Sequence, residues 1–430
     1  MEIKVACVIF QLLVFTYFVQ NSVGKNLLVS YWGQNSAGVA YPDNPEDELD
    51  QICQERQYDV IVIAFVVTFF STVNKDLMPE VNFANHCYEP VSSDYPKLYG
   101  CPEIESGIKA CQKVGTKVLI SLGGATGYNV LDDQKADILA QNLWDLFLEG
   151  TGQEDIRPFG SAILDGIDLD IEDHLSGGYA QLVKKLRELE ATGTKPYLMT
   201  GAPQCPYPDL SLGPGSGTAL EEQGDKFDHL YVQFYNNYCY PGDPTSFNLD
   251  TWLQFAAVTQ AEYGSGPKIF VGLPAATGGS GDPKYYMTPE EVSDLYQNIQ
   301  TMNNSDYFGG FMLWDAAWDQ QNTIAGQMYS DYIADIISGE TPTTPGISST
   351  ASGGTTVPTT AATTQTTSGF SSTVPPTVGP DFCDDKEDGF YADPTDPSGY
   401  IRCVGGITYF AECPDGLVWV EEELSCDYPQ

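Results

Sequence analysis

The stretch Asp165-Gly166-Ile167-Asp168-Leu169-Asp170-Ile171-Glu172 holds four carboxylates in eight residues. As a β-strand, its period of two sets Asp168, Asp170 and Glu172 on one side and Ile167, Leu169 and Ile171 on the other. Three carboxyl groups on one face repel one another, and the pKa of at least one of them rises. Such an arrangement is costly, and carboxyls with displaced pKa values mark functional sites, proton transfer among them. Two plainer readings stand beside it, a solvated acidic edge strand and a divalent-cation site. Asp165 falls off the alternation and is expected to be structural.

A carboxylate face needs a frame to aim it. Apolar, β-branched runs recur from Leu27 to Asp315, and we read strands at Leu27–Gly33, Val60–Val67, Lys117–Gly124, Gly166–Glu172, Tyr197–Gln204, His229–Tyr235, Lys268–Ala275 and Gly309–Asp315. Their continuous hydrophobicity suits strands buried on both faces, and the patterns at Ala136–Leu148, Tyr179–Leu189 and Pro289–Met302 suit crossover helices. The order predicts an α/β fold of the (β/α)₈ TIM-barrel type. Chemistry in such barrels sits at the C-terminal ends of the strands, which here carry Tyr31, Gly123-Gly124, Asp170, Glu172, Gln204, Gln233, Tyr235 and Trp314. A doubly wound open sheet would also gather residues at strand ends, but the segment after the first strand, Gly33 to Gly38, lacks a glycine-rich phosphate fingerprint.

The 430-residue chain has room for one large domain and a smaller one. Lys4, the apolar run from Val5 to Val19 and the small residues Ser22-Val23-Gly24 read as a signal peptide over residues 1–24, so a secreted, extracellular protein starting near Lys25 is expected. Of 11 cysteines, Cys7 lies in that segment, which leaves an even number for a disulfide framework. The three histidines are scattered, so neither a metal nor another cofactor is expected. A net charge of −40 excludes nucleic acid and anionic membrane as partners, since both need basic surface. A monomer is expected.

The catalytic unit is assigned to residues 25–338. Residues 339–380 are dominated by Thr, Ser, Pro and Gly, cannot bury enough surface to offset chain entropy, and read as a disordered linker suited to O-glycosylation. Asn303-Asn304-Ser305 is the one N-glycosylation sequon after residue 24. Residues 381–430 hold four cysteines and many aromatics in a segment too small for a substantial core, which predicts a disulfide-stapled, β-rich module.

The carboxylate stretch resembles the DxxDxDxE signature of family 18 glycoside hydrolases, and residues 26–337 are similar to the class III, hevamine-like chitinases. The similarity rests on Tyr31-Trp32-Gly33-Gln34-Asn35, Ser121-Leu122-Gly123-Gly124, Ala202-Pro203-Gln204-Cys205-Pro206, Val232-Gln233-Phe234-Tyr235-Asn236-Asn237, Gly272-Leu273-Pro274-Ala275 and Met312-Leu313-Trp314. It implies the bridges Cys53–Cys111, Cys87–Cys101 and Cys205–Cys239. The tail resembles a family 14 chitin-binding module of the peritrophin-A type, through Cys383, Gly389-Phe390-Tyr391, Tyr400 to Cys403, Cys413 to Leu417 and Cys426 to Pro429. Four of that pattern's usual six cysteines are present, with Cys383–Cys403 and Cys413–Cys426 as the implied bridges.

The resemblance implies an endo-acting chitinase with chitin and N-acetylglucosamine oligosaccharides as partners, cleaving β-1,4 linkages with retention by substrate-assisted catalysis. Glu172 would be general acid and then base. Asp170 would raise the pKa of Glu172 and hold the substrate's acetamido group, with Asp168 sharing a proton or hydrogen bond with Asp170. Tyr235 would donate to the acetamido oxygen, Trp314 would floor the sugar, and Tyr31 and Gln233 would add contacts. A non-catalytic chitin-binding lectin or an acidic matrix protein on the same fold is the rival reading.

Overall fold

In a computed structural model of the chain, residues 25–127 and 129–339 are described, together with Phe382, Lys386, Pro394 and strand segments between Gly389 and Asp427. The expected signal peptide and linker lie outside the described residues. The chain divides into two compact units, Met1–Ser348 and Ser349–Gln430.

The first unit is a closed barrel of eight parallel strands: β1 (Leu27–Trp32), β2 (Val60–Thr68), β3 (Lys117–Gly123), β4 (Gly166–Asp170), β5 (Leu198–Gly201), β6 (His229–Gln233), β7 (Lys268–Pro274) and β8 (Phe308–Trp314). Neighbours in sequence are neighbours in space, and pairing of β1 with both β2 and β8 closes the ring. Both faces of each strand are covered. Val29, Tyr31, Val60, Val62, Leu119, Tyr231, Phe270 and Met312 form a cluster facing the lumen, whereas Leu28, Ile61, Ile63, Val118, Ile120, Ile167 and Leu169 join the larger core beneath the helices. Each fully buried aliphatic side chain contributes roughly 1.5–3 kcal/mol, so two-sided burial explains why these strands read as unbroken apolar runs.

The crossover helices show why their sequences form and where they turn inward. Asp132 caps the helix Asp133–Phe147, accepting from the Lys135 amide at 2.9 Å. Ala136, Leu139, Ala140, Leu143 and Phe147 make its buried stripe at helical spacing. Thr288 and Glu291 form a reciprocal capping box at the start of the helix Pro289–Ile299, with proline at the first turn. That helix stops three residues before the expected Met302, because Val292, Leu295 and Ile299 complete its buried face.

Strand ends also fall short of the expected bounds. The fourth strand ends at Asp170, not Glu172, since its last partner is Gly123 on β3. The Asp170 carbonyl is then taken by the Gly124 amide at 2.7 Å. A β-carbon at Gly123, where φ is 101°, would collide with that same carbonyl, so glycine permits the two strand ends to approach. Beyond β2, the chain adds a short antiparallel strand, Glu80–Val81, and a hairpin, Pro90–Ser92 with Tyr95–Tyr99, that periodicity did not reveal.

Disulfides join Cys53 to Cys111, Cys87 to Cys101 and Cys205 to Cys239. No helix among the described residues is long and apolar enough to cross a membrane. In the second unit, Gly389–Ala392, Gly399–Val404 and Ile407–Glu412 form an antiparallel sheet, followed by the hairpin Val418–Val420 with Ser425–Asp427. Buried Ile401 packs with Phe382 and Tyr391, whose rings meet edge to face at 6.1 Å beneath the Lys386 ammonium. The sulfurs of Cys383, Cys403, Cys413 and Cys426 lie outside the described residues.

Candidate active site

Alternation along β4 sorts its side chains as the period of two requires. Asp168 and Asp170 are buried at 0% and 3% exposure, and Ile167, Leu169 and Ile171 pack in the outer core. Asp165, at the opposite end of the strand, is bound by the Val118 amide at 3.1 Å, Gln112 Nε2 at 2.9 Å and Lys195 Nζ at 3.0 Å. Burial opposes its charge, but these donors outweigh it and hold the carboxyl below its usual range. Its part is to tie β3 and the segment before β5 to the base of β4.

Asp168 lies one layer below the rim. Its carboxylate accepts hydroxyl hydrogen bonds from Tyr31 at 2.8 Å, Ser121 at 2.7 Å and Thr200 at 2.5 Å. Ser121 and Thr200 are its register partners on the neighbouring strands β3 and β5. Burial raises the Asp168 pKa, and the three hydroxyls oppose that rise. Asp168 makes no hydrogen bond to Asp170, contrary to the expected proton-sharing contact, because its oxygens are directed to these three donors. The two carboxyls act on each other through space.

Asp170 accepts from Gln233 Nε2 at 2.9 Å, and the same nitrogen donates to the Ala202 carbonyl at 3.0 Å. Burial first, then the charges of Glu172, Asp168 and Asp209, push Asp170 well above the usual carboxylate range. Glu172, just past the last paired residue of β4, is half-buried. Its pKa is pushed up to about 7, mainly by burial and further by Asp209, while the Gln204 and Gln233 amides oppose the rise. Asp170 and Glu172 repel each other, so ionising one disfavours the charge of the other. Gln204 Nε2 faces Glu172 Oε2 at 3.4 Å, and Gln204 Oε1 accepts from Asn237 Nδ2 at 3.1 Å, which orients the amide.

Tyr235 follows β6 with 6% exposure. Its hydroxyl is kept protonated by burial and by the charges of Asp170, Glu172 and Asp315. Trp314, at the end of β8, is partly exposed. Its ring lies 6.2 Å from that of Phe65 at an interplanar angle of 19°, and 5.6 Å from that of Tyr31. Tyr31 itself is 1% exposed, so with its hydroxyl on Asp168 it supports this wall from behind. Next to Trp314, Asp315 accepts from Ser36 Oγ at 2.7 Å and caps a short helix through the Trp318 amide at 3.1 Å. Burial, with Glu46 nearby, pushes its pKa up to about 8.

Glu172, Asp170, Asp168, Tyr235, Gln233, Trp314 and Tyr31 are thus brought to one end of one barrel. Gln233 is turned toward Asp170 rather than outward as a sugar contact. Sequence reasoning gave no role to Ser121, Thr200, Asp209 or Asn237, although Ser121 and Asn237 stand in the stretches that carry the resemblance. Ser121 and Thr200 also carried a signal as small hydroxyls in otherwise apolar strands; Asp209 carried none. Among the described residues no cluster of three His, Cys, Asp or Glu side chains is arranged to hold a metal ion.

A closed (β/α)₈ barrel with buried carboxyls of displaced pKa at the C-terminal end of β4 has the layout of a barrel with its candidate site at the strand ends. Residues 28–329 match the family described as Glycosyl hydrolases family 18, and the chain belongs to that family. Residues 383–430 match the Chitin binding Peritrophin-A domain. An endochitinase of Saccharomyces cerevisiae is 38% identical over 340 residues, which cover 77% of this chain and 55% of that protein. Chitinase 3 of Candida albicans is 38% identical over 320 residues, covering 73% and 52% respectively. The chain therefore spans about half the length of these curated relatives. Among solved structures, a chitinase from Ipomoea carnea aligns with a TM-score of 0.55 at 29% identity, over 72% of this chain and 99% of that one. A xylanase and alpha-amylase inhibitor protein from Scadoxus multiflorus aligns with a TM-score of 0.55 at 30% identity, over 74% and 100%.

Proposed function

We propose that this chain is a secreted, endo-acting chitinase that hydrolyses β-1,4 linkages between N-acetylglucosamine units with retention of configuration. The observation that carries the reading is the placement of Glu172 just past the end of β4, beside buried Asp170 and against Gln204, where burial pushes its pKa up to about 7. Glu172 gives its proton to the leaving oxygen and later recovers one from water. The substrate's own acetamido carbonyl attacks the anomeric carbon, as family membership implies. Asp170 orients that group and offsets positive charge on the cyclic oxazolinium intermediate. Tyr235 donates to the acetamido oxygen, and Trp314 provides the apolar floor. Asp168, satisfied by three hydroxyls, supports Asp170 from the layer beneath it.

The proposed layout is a signal over residues 1–24, a catalytic barrel over 25–338, a linker over 339–380 and a chitin-binding module over 381–430, acting as a monomer. The module would keep the barrel near insoluble polymer and raise the local substrate concentration. Its test is adsorption to insoluble chitin with and without residues 381–430. Equal adsorption would remove the module from the proposal.

The test of the barrel is incubation of the full-length protein with N-acetylglucosamine oligomers, reading cleavage and the anomer first formed. β-Anomer products are expected. Binding without products would favour a lectin, a reading kept open because a fold does not fix activity and one structural relative is described as an inhibitor protein.

A further inference from the structure

Five residues beyond Gln204, in the loop that leaves β5, a carboxylate turns back into the protein. Asp209 is 6% exposed. Its Oδ1 accepts from the amides of Ser211 at 3.0 Å and Leu212 at 2.7 Å. Its Oδ2 accepts from the Gln204 amide at 3.2 Å. The carboxylate therefore clamps the two ends of its own loop. Main-chain bonds between Asp209 and Gly213 in both directions, at 3.2 and 3.1 Å, close the turn around it.

One end of this clamp is the residue that touches Glu172. Gln204 is pinned at its amide by Asp209, bridged to Gln233 on β6, and oriented at its side chain by Asn237. The disulfide from Cys205 to Cys239 ties the same segment to the loop after β6. We propose that Asp209 is a positioning residue for the general acid: its carboxylate fixes Gln204 against Glu172 and adds a negative charge to the acid's surroundings from outside its own strand. This rests on Glu172 being the acid. The titratable groups facing Glu172 are Asp170 from β4, Asp209 from the loop after β5 and Tyr235 from the loop after β6.

The charge balance agrees with that placement. Burial lifts Asp209 to about 6, against the pull of its loop amides, so it is ionised at neutral pH. An anion close to Glu172 favours the protonated acid. Removing the charge releases the proton of Glu172 at lower pH.

The decisive measurement is the pH profile of kcat/KM on N-acetylglucosamine oligomers for the full-length wild type, Asp209→Asn, Asp209→Glu and Ser211→Ala. Asparagine keeps the size but loses the charge, and its single acceptor oxygen cannot serve both the Gln204 amide and the amides of Ser211 and Leu212. Its basic limb is expected to move down by about half a pH unit or more, with kcat lowered about tenfold and KM within about twofold. Asp209→Glu should bring the limb back toward the wild type. Ser211 Oγ has no hydrogen-bond partner, so Ser211→Ala disturbs the same loop without touching the carboxylate and should leave the limb in place.

A folded Asp209→Asn with an unmoved limb overturns the proposal, and so does an equal shift in Ser211→Ala. Should Asp209→Asn not fold, carbon-13 titration of the Glu172 carboxyl in the wild type decides. A second inflection tracking Asp209 supports the coupling; a single inflection refutes it. An active Glu172→Gln variant would instead remove the assignment of the acid, so the two failures are distinguishable.

Discussion

The Gln233 side chain donates to Asp170 Oδ1 at 2.9 Å and, from the same nitrogen, to the carbonyl of Ala202 at 3.0 Å. Anchored to the end of β5 in this way, the amide fixes where the buried carboxyl stands. Replacing Gln233 by Leu removes the anchor without adding charge. We expect kcat to fall on the order of tenfold to a hundredfold with a small change in KM. Steady-state kinetics on soluble oligomers would reveal an unchanged kcat if the anchor had no part in catalysis.

Glu172→Gln preserves shape and removes the proposed proton donor. Product release should drop on the order of a thousandfold or more, while oligosaccharide binding, followed by calorimetry, survives. Loss of binding together with loss of turnover would point to a collapsed site instead.

As the proposed general acid Glu172 must be protonated to act, and burial pushes its pKa up to about 7. Its acidic form predominates below that value, so kcat/KM should decline as pH rises through about 7. A profile still rising toward pH 9 would contradict the assignment.

Stability should depend on pH in a direction that follows from buried carboxyls. Burial raises Glu172 and Glu190 to about 7, Asp209 to about 6 and Asp315 to about 8 in the folded chain. Each folded pKa exceeds its unfolded value, so between about pH 5 and pH 8 the native state binds more protons and stability falls as pH rises. Buried His229, lowered to about 4, acts in the opposite sense below its unfolded value of 6.5. These carboxyls, joined by Asp170, which lies well above the usual range, outnumber the single histidine. Calorimetry should show a Tm higher at pH 5.5 than at pH 8, by on the order of 5 °C; the reverse order would refute this balance.

How much of the site was legible depended on whether a residue lay on a strand. Asp168 and Asp170 were readable because a two-residue period fixes their side of the sheet. Ser121 and Thr200 were equally readable in principle, since they occupy the same barrel layer as Asp168. Asp209 was not, because a carboxyl in the loop beyond Gly201, the last residue of β5, gains its meaning only from the path of that loop. Gln233 was placed correctly along the chain, but spacing says nothing about where an amide points. Repulsion between Asp170 and Glu172 was readable from their spacing, whereas burial, the larger cause of the raised Glu172 pKa, depends on the loops that enclose the rim. Helix and strand bounds slipped by a few residues because hydrophobic runs do not mark where the last main-chain partner lies.

Asp168 draws its three hydroxyl donors from β1, β3 and β5. A nascent chain halted after β4 holds Tyr31 and Ser121 but lacks Thr200, so its central acid is incompletely solvated by protein. Recovery of the finished site during refolding should therefore lag behind recovery of helical signal, since the helices can form locally while this carboxyl waits for strands on both sides. Enzymatic competence becomes a late marker of ring assembly, and a chain split between β4 and β5 should regain it only when both pieces are supplied together.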